Sequence, residues 1–200
     1  MRHEKVDMIF QAAVEVFAES GFDQAKMDDI AQVAGVAKGT IYYHFKSKEE
    51  MFIGLMNEGM QKLIDCARRN VDLHESPTEQ LKALIASHVQ FFVQNSKLAK
   101  LLINEAFGTK ERQRQFRLKV RDYLGLIEAV LIRGMECGEF FISQPQEVAN
   151  SIFGSASFVV LQKIYSLDEL TEQEIEEASP VMISTLHQIL LGSITKSSQY

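Results

Sequence analysis

The chain has 200 residues, 46% hydrophobic and 24% charged, with a formal net charge of −6 and a pI near 5.4. These values exclude wholesale disorder and indiscriminate coating of nucleic acids. No apolar run approaches the ~20 residues of a membrane span, and the N-terminus lacks a secretory signal pattern. Cys66 and Cys137 stand alone without metal-ligand spacing, so we expect a cytoplasmic protein with reduced thiols and with neither metal nor cofactor.

Helical periodicity runs through the chain. Apolar residues recur about every 3.6 positions in each long segment, as Ile9, Ala13 and Phe17 do in the first. No segment alternates as a strand would, so the sequence predicts an all-α fold. The helices are expected over residues 4–20, 27–34, 38–45, 48–70, 77–95, 97–107, 111–138, 144–166 and 180–193.

Local signals mark where these helices begin and end. In a capping box, a Ser or Thr accepts from the third helical N–H while a Glu or Gln there reaches back. The four pairs are Ser47 with Glu50, Ser76 with Glu79, Ser143 with Gln146, and Thr171 with Glu174. Pro77 and Pro180 are each expected at a first helical position. Gly21 is expected to end the first helix in a left-handed conformation and to bring Phe22 onto Phe17.

Residues 27–45 form two short helices around a tight turn at Gly35, which is the sequence form of a helix-turn-helix. Their expected core is Ile30, Ala31, Ala34, Val36, Ile41 and Phe45, together with Phe17. The second helix then exposes Lys38, Gly39, Thr40, Tyr43 and His44, with Tyr42 at its flank. No carboxylate occurs between Ala31 and Lys48. Because these side chains suit phosphates and base edges, and a helix N-terminus favours an anion, we predict DNA binding.

The same residues resemble the tetracycline-repressor (TetR) family of one-component bacterial regulators. The matching frame is Ala13, Phe17, Gly21-Phe22, Ile30-Ala31, Ala34-Gly35-Val36, Lys38-Gly39-Thr40-Ile41-Tyr42, His44-Phe45 and Lys48-Glu49. The resemblance implies a three-helix DNA-binding domain over residues 1–47 and a helical ligand-binding and dimerisation domain over residues 48–200. It also implies base or backbone contacts from Lys38, Gly39, Thr40 and Tyr43, and phosphate contacts from Tyr42, His44 and Lys48.

This chain departs from the family pattern at several positions of the predicted DNA-binding domain, residues 1–47, which we call the head. Lys26 follows Ala25 where the family often has threonines, and it can replace their phosphate contact by charge. Ala37 stands in place of the usual serine cap, which weakens that helix end by about 1 kcal/mol. Asp28 and Asp29 would repel any phosphate they faced, and residues 1–55 carry a net charge of −3. We therefore predict a shallow salt dependence, with a slope of about −0.9 per phosphate neutralised.

One helix-turn-helix buries too little surface to select a single genomic site, so we expect a homodimer on paired half-sites. Residues 144–193 mix small and aliphatic side chains that suit close helix packing. The predicted interface residues are Ile152, Ser155, Val159, Ile183, Leu186 and Leu190. The alternative is that these faces pack within one subunit. The acidic stretch 168–177 is interpreted as a solvated connection.

The middle of the chain is rich in Met and Phe, which either form ordinary core or line an effector site. The candidate ligand-binding residues are Met56, Met60, Phe91, Phe92, Phe107, Arg112, Phe116, Tyr123 and Phe153. The basic run 110–121 is either a solvated helix face or a set of cations for an anionic head group. His88 is interpreted as a hydrogen-bonded core histidine rather than a ligand or a pH sensor.

Two effector classes remain open. The layout from Asn104 to Glu139 is similar to the fatty-acyl-CoA-responsive branch of the family, which implies a long-chain acyl-CoA as the effector. A lipophilic cation is the competing class, typical of efflux repressors, and would need Glu105 or Glu128 to face the cavity.

The expected function is that of a cytoplasmic bacterial repressor. Its partners are double-stranded operator DNA, a second copy of itself and a small apolar or amphipathic effector, without a membrane. Effector binding is expected to move helix 48–70 and so to change the spacing of the two heads. The rival classes are a helical enzyme and an interaction module without DNA binding. Because phosphate-loop, zinc-protease and nucleophile-elbow motifs are all missing from the sequence, we predict no enzyme.

Overall fold

The computed structural model describes residues 2–104, 110–166 and 172–195. These residues form nine helices and no strand, which confirms the all-α prediction. The helices are α1 (Arg2–Gln24), α2 (Met27–Val33), α3 (Lys38–His44), α4 (Lys48–Val71), α5 (Pro77–Gln94), α6 (Ser96–Asn104), α7 (Lys110–Glu136), α8 (Pro145–Tyr165) and α9 (Glu172–Ile194). None of the helices described is both long and apolar enough to cross a membrane.

The helix caps predicted at Ser179 and Ser143 are both wrong. Pro180 lies inside α9, which begins at Glu172, so the expected cap at Ser179 is wrong and Ser179 is instead buried. Residues 172–177 of the acidic stretch are therefore helical, while Thr171 lies outside the described residues. The N-cap of α8 is Gln144 without a side-chain cap bond, so the predicted Ser143 capping box is also wrong. The start of α9 was misplaced because a proline marks a first helical turn only when no earlier turn precedes it, whereas Pro145 does begin α8 and only its N-cap is shifted by one residue.

Two capping predictions hold in part. Ser76 accepts the Glu79 N–H at 3.5 Å, and Ser47 accepts the Glu50 N–H at 3.1 Å. The reciprocal bond of the second box is shifted by one residue, because the Glu50 carboxylate accepts the Lys46 N–H at 2.7 Å. These bonds satisfy amide groups that would otherwise lack a partner at the starts of α5 and α4.

The helices separate into two compact units. Unit 1 runs from the start of the described chain to Gly59 and includes Lys97–Arg117, whereas unit 2 combines Met60–Ser96 with the chain from Leu118 onward. Within unit 1, α2 packs on both α1 and α3; within unit 2, α5 packs on α8 and α9, which also contact each other. The boundary predicted between residues 47 and 48 falls within unit 1 and stays a prediction.

Each unit has an apolar interior. In unit 1 the most deeply buried side chains include Ile9, Ala13, Phe17, Ile30, Ile41 and Met51. Their counterparts in unit 2 include Leu63, Leu81, Ile85, Val89, Tyr123, Ile127, Val130 and Val160. The predicted head core is confirmed at Ile30, Ala31, Ala34, Ile41 and Phe45, although Val36 is only half-buried.

Within unit 2, a carboxylate from the connection between α7 and α8 accepts hydrogen bonds from the first residues of α5. Glu139 Oε2 accepts from Thr78 N at 2.9 Å, Thr78 Oγ1 at 2.6 Å and Ser76 Oγ at 3.1 Å. The hydrogen bonds from Thr78 lower the pKa of Glu139. This contact could not be read from the sequence, because it joins residues about sixty positions apart.

Candidate nucleic-acid interface and effector core

The turn between α2 and α3 is held by two backbone hydrogen bonds and requires a glycine at position 35. Gly35 has φ 64°, in the left-handed region, as the sequence predicted. Val36 N–H donates to Ala31 O at 3.0 Å and Gly35 N–H to Gln32 O at 3.1 Å. This is the pattern of a Schellman end, and it turns the chain sharply from α2 into α3.

Helix α3 has one buried face and one exposed face. Ile41 is fully buried, while Tyr43 is 76% exposed and Tyr42 46% exposed. Gly39 is exposed on the first turn, with open space where a side chain would stand. Two further candidate contacts, Thr40 and His44, are half-buried, and Lys26 at the start of α2 is exposed. The helix has no side-chain cap at Ala37, in agreement with the sequence analysis.

Lys38 is exposed at the start of α3 but forms an ion pair with a carboxylate of α2. Its ammonium lies 2.7 Å from Asp28 Oδ2, and both side chains are exposed. The hydrogen bond and charge of Asp28 raise the pKa of Lys38. The Lys38 Nζ also lies 5.9 Å from the Tyr42 ring centroid. Asp28 thus neutralises one of the few cations of the head, a pairing that the sequence analysis did not foresee.

Lys48 does not present an uncommitted ammonium. Its Nζ donates to Phe22 O at 2.6 Å, Asp23 O at 2.9 Å and Ala25 O at 2.9 Å. An ammonium has three N–H donors, so this set uses all of them. The phosphate contact that the family resemblance implied for Lys48 conflicts with this arrangement.

The interior of unit 2 contains a buried polar trio. His88 Nδ1 lies 3.2 Å from the Tyr123 hydroxyl, and His88 Nε2 lies 3.1 Å from Ser157 Oγ. All three side chains are buried, and burial lowers the pKa of His88 from 6.5 to about 3. Burial also raises the pKa of Tyr123. His88 is therefore neutral, with one ring nitrogen donating and the other accepting, as expected of a hydrogen-bonded core histidine.

Aromatic rings surround this trio. The His88 ring centroid lies 4.5 Å from that of Phe92 and 5.4 Å from that of Phe153, and Tyr123 lies 5.9 Å from Phe153. Phe91 continues the group at 6.1 Å from Phe92. Four of the candidate ligand residues, Phe91, Phe92, Tyr123 and Phe153, thus form one cluster in unit 2. The sequence missed Ser157, since a serine on an apolar helix gives no signal of its partner.

The remaining ligand candidates that the structure describes are divided between the two units. Met60 is buried in unit 2, whereas Met56 is buried and Phe116 half-buried in unit 1. Phe107 and the side chain of Arg112 lie outside the described residues. In the described ranges, no group of three or more His, Cys, Asp or Glu side chains is placed to hold a metal ion.

The predicted dimer residues divide into two sets. Ile152 and Leu186 are each only 2% exposed in the single chain, so they face the core of unit 2 and have almost no surface for a partner. Ser155, Val159, Ile183 and Leu190 are half-buried. Large apolar side chains that are exposed on the same helices include Phe158 and Tyr165 on α8, and Val181 and Ile189 on α9. The predicted interface is therefore wrong at Ile152 and Leu186, which lie on the core-facing sides of α8 and α9.

Comparison with known proteins agrees with this geometry. Residues 9–55 match the family described as bacterial regulatory proteins, tetR family, and residues 74–161 match a tetracyclin repressor-like C-terminal domain. The fatty acid metabolism regulator protein of Bacillus subtilis is 29% identical over 196 residues, which cover 93% of this chain and 97% of the relative.

Solved structures give the same result. The fatty acid degradation regulator FadR from Bacillus halodurans has a TM-score of 0.82 and 31% identity, over 93% of this chain and 97% of its own. FadR from Bacillus subtilis, solved in complex with stearoyl-CoA, has a TM-score of 0.79 and 26% identity, over 90% and 96%. These relatives are regulators of transcription or metabolism rather than enzymes. The chain therefore belongs to the TetR family of bacterial transcriptional regulators, as a DNA-binding protein with a small-molecule effector.

Proposed function

We propose that the protein is a homodimeric repressor that binds operator DNA through α2 and α3 and leaves it when a long-chain acyl-CoA binds. The observation that carries the DNA part is the exposure of Tyr42, Tyr43 and Gly39 on α3, opposite the buried Ile41. Tyrosine hydroxyls can donate to phosphate oxygens, and the glycine permits close approach of the helix start to the duplex.

The exposed apolar side chains of α8 and α9 support a dimer. Phe158 and Tyr165 are seven positions apart on α8, and Val181 and Ile189 are eight apart on α9, so each pair shares one helix face. Because α8 and α9 contact each other, the two faces belong to one helix pair of unit 2. Four large apolar side chains on one helix pair are typical of a protein interface. We therefore place the dimer contact on these faces, with Ser155, Val159, Ile183 and Leu190 beside them.

An acyl-CoA suits the side chains around His88 in unit 2 and on α7. The aromatic cluster around His88, with buried Met60, provides apolar and adaptable side chains for an acyl chain. Arg121 is exposed on the part of α7 that belongs to unit 2. Its guanidinium group suits a phosphate of coenzyme A. The near full-length similarity to fatty acid regulators supports the same effector class.

Release follows from a two-state equilibrium. An effector shifts such an equilibrium only through its different affinities for the DNA-binding and released states. Helix α4 contributes residues 48–59 to unit 1 and residues 60–71 to unit 2, so it is the element that we expect to carry the change. Movement of α4 would alter the spacing between the two heads of the dimer and thereby weaken binding to paired half-sites.

Fluorescence anisotropy with a labelled duplex from the protein's own upstream region tests the effector. Palmitoyl-CoA, coenzyme A and palmitate are added separately to the preformed complex. We expect palmitoyl-CoA to release the DNA and the other two compounds to be at least about tenfold weaker, since each supplies only half of the contacts. Release by a lipophilic cation, with no effect of palmitoyl-CoA, would refute the proposed effector class.

Sedimentation of two matched variants tests the dimer. Phe158→Arg places a charge in the proposed interface, whereas Leu73→Arg changes an even more exposed side chain outside it. We expect the first variant to sediment as a monomer and to lose operator binding, and the second to remain a dimer. A dimeric Phe158→Arg variant would refute the proposed interface.

A further inference from the structure

Lys48 connects two segments of unit 1 that are far apart in sequence. Its ammonium donates to three backbone carbonyls, those of Phe22, Asp23 and Ala25, at 2.6, 2.9 and 2.9 Å. The same Nζ lies 4.6 Å from the centroid of the Phe22 ring. The side chain is half-buried, and each of its N–H donors has an acceptor. The ammonium charge of Lys48 is therefore hydrogen-bonded to the protein's own backbone.

The carbonyls that Lys48 binds lie where α1 gives way to α2. Gly21 breaks the regular helix with φ 73° and ψ 163°, a conformation essentially restricted to glycine. Carbonyls at a helix end lack helical partners and carry partial negative charge, which an ammonium satisfies. Ala25 immediately precedes Lys26, the N-cap of α2. Hence Lys48 fixes the chain at the point from which α2 departs.

Aromatic packing reinforces the same junction. The Phe22 ring lies 5.8 Å from Phe17 on α1 and 5.0 Å from Phe52 on the first turns of α4, and Phe17 lies 5.1 Å from Phe52. The three rings join α1 to α4 beside the Lys48 ammonium, in a region that is partly closed to water. Hydrogen bonds to a charged donor are stronger there than in bulk solvent.

We propose that Lys48 is a positioning residue: it fixes the entry of α2 to the first turn of α4 and thereby sets the orientation of α2 and α3. This inference rests on the proposed function, in which α4 carries the effector signal. In that scheme a movement of α4 changes the orientation of α2 and α3 through the hydrogen bonds of Lys48. Lys48 itself does not contact a DNA phosphate. A phosphate could recruit its ammonium only after displacing the three backbone carbonyls that it now contacts.

Hydrogen exchange in the full-length protein without DNA tests the positioning role directly. We expect Lys48→Met to increase amide exchange in residues 22–45 by about tenfold or more, as for the loss of hydrogen bonds to a charged group. Lys26→Met is the matched control, because Lys26 is an exposed cation of the same head and should leave this exchange unchanged. Unchanged exchange in Lys48→Met would overturn the proposal.

The salt dependence of operator binding separates positioning from phosphate contact. Loss of a phosphate contact lowers the slope of log K against log salt by about 0.9 per subunit. We expect Lys48→Met to weaken binding at every salt concentration with the wild-type slope, and Lys26→Met to reduce the slope. A reduced slope in Lys48→Met, with unchanged exchange, would identify a phosphate ligand instead.

Lys48→Arg keeps the proposal testable if Lys48→Met does not fold. Arginine retains the charge and binds phosphate well, but its planar donors cannot meet three converging carbonyls. A positioning role predicts faster exchange and weaker operator binding in this variant, whereas a phosphate role predicts retained affinity. If the wild-type protein itself binds no operator, the proposed function fails while the exchange measurement still decides the role of Lys48.

Discussion

Acidification should destabilise the fold through His88, and the size of the effect can be worked out. Burial lowers the pKa of His88 from 6.5 to about 3, so the folded protein leaves this imidazole neutral where the unfolded chain takes up a proton. Stability is therefore lost as the pH falls below about 6.5, down to about 3. Between pH 7 and pH 5 the imidazole is protonated in the unfolded chain alone over about 1.5 pH units, which lowers the free energy of unfolding by about 2 kcal/mol.

Thermal unfolding of the wild type and His88→Gln at several pH values measures this term. Glutamine retains hydrogen-bonding groups but does not titrate, so the wild type should lose about 2 kcal/mol more than the variant between pH 7 and pH 5. For a chain of this size the difference corresponds to about 4–8 °C in Tm. Because the imidazole is buried beside Tyr123 and Ser157, no solvent exposure screens the effect.

Tyr123→Phe is the matched control. It removes the hydroxyl that meets His88 Nδ1 but leaves the imidazole in place, so it should lower stability by about 1–3 kcal/mol at every pH. Its dependence on pH should parallel that of the wild type. Identical pH profiles for the wild type and His88→Gln would refute the reasoning, since the imidazole would then be able to take up a proton in the folded state.

Two further substitutions test the head and unit 2. Asp28→Asn should release the Lys38 ammonium, so that operator binding tightens several-fold and its salt slope steepens by up to about 0.9 per subunit; unchanged affinity in an anisotropy titration would argue against Lys38 as a DNA contact. Gly134→Ala should lower the free energy of unfolding by about 1–3 kcal/mol in chemical denaturation, because the new Cβ would overlap the buried Phe140 ring. A variant as stable as the wild type would show that the Phe140 ring can move aside.

Local features of the fold could be predicted from the sequence because neighbouring residues determine them. The left-handed Gly35, the contact of Phe22 with Phe17 and the cap at Ser76 each depend on a few adjacent positions. The family frame rests on the same residues, which is why the head was recognisable from about a quarter of the chain. Pro180 shows the limit of such signals, because α9 had already begun eight residues earlier and its packing tolerated the proline.

Contacts between distant segments could not be predicted from the sequence. The hydrogen-bond partners described above for Lys48, Glu139 and His88 lie 23 to 69 positions away, so only the folded chain brings them together. The pairing of Lys38 with Asp28 crosses the turn at Gly35 and depends on the angle between α2 and α3.

The dimer residues illustrate a different limit. Periodicity identifies an apolar helix face but does not say whether that face meets its own subunit or another. Ile152 and Leu186 proved to be core residues, whereas the exposed Phe158 and Ile189 were not among the predicted interface positions. A helix with apolar residues on both faces can pack against its own subunit on one face and against a partner on the other, and only the exposure of each side chain in the folded chain separates the two.

The proposed repressor function depends on α3 being the helix that contacts DNA. Tyr42→Ala is the most direct test, because this side chain is exposed and its truncation leaves the buried Ile41 in place. Anisotropy titration on the protein's own upstream duplex should show at least a tenfold weaker affinity, about 1.4 kcal/mol, with Tm and dimerisation unchanged. Leu73→Ala, an exposed apolar truncation in unit 2, should bind like the wild type. Undiminished affinity in Tyr42→Ala would contradict the assignment of α2 and α3 as the DNA-reading head.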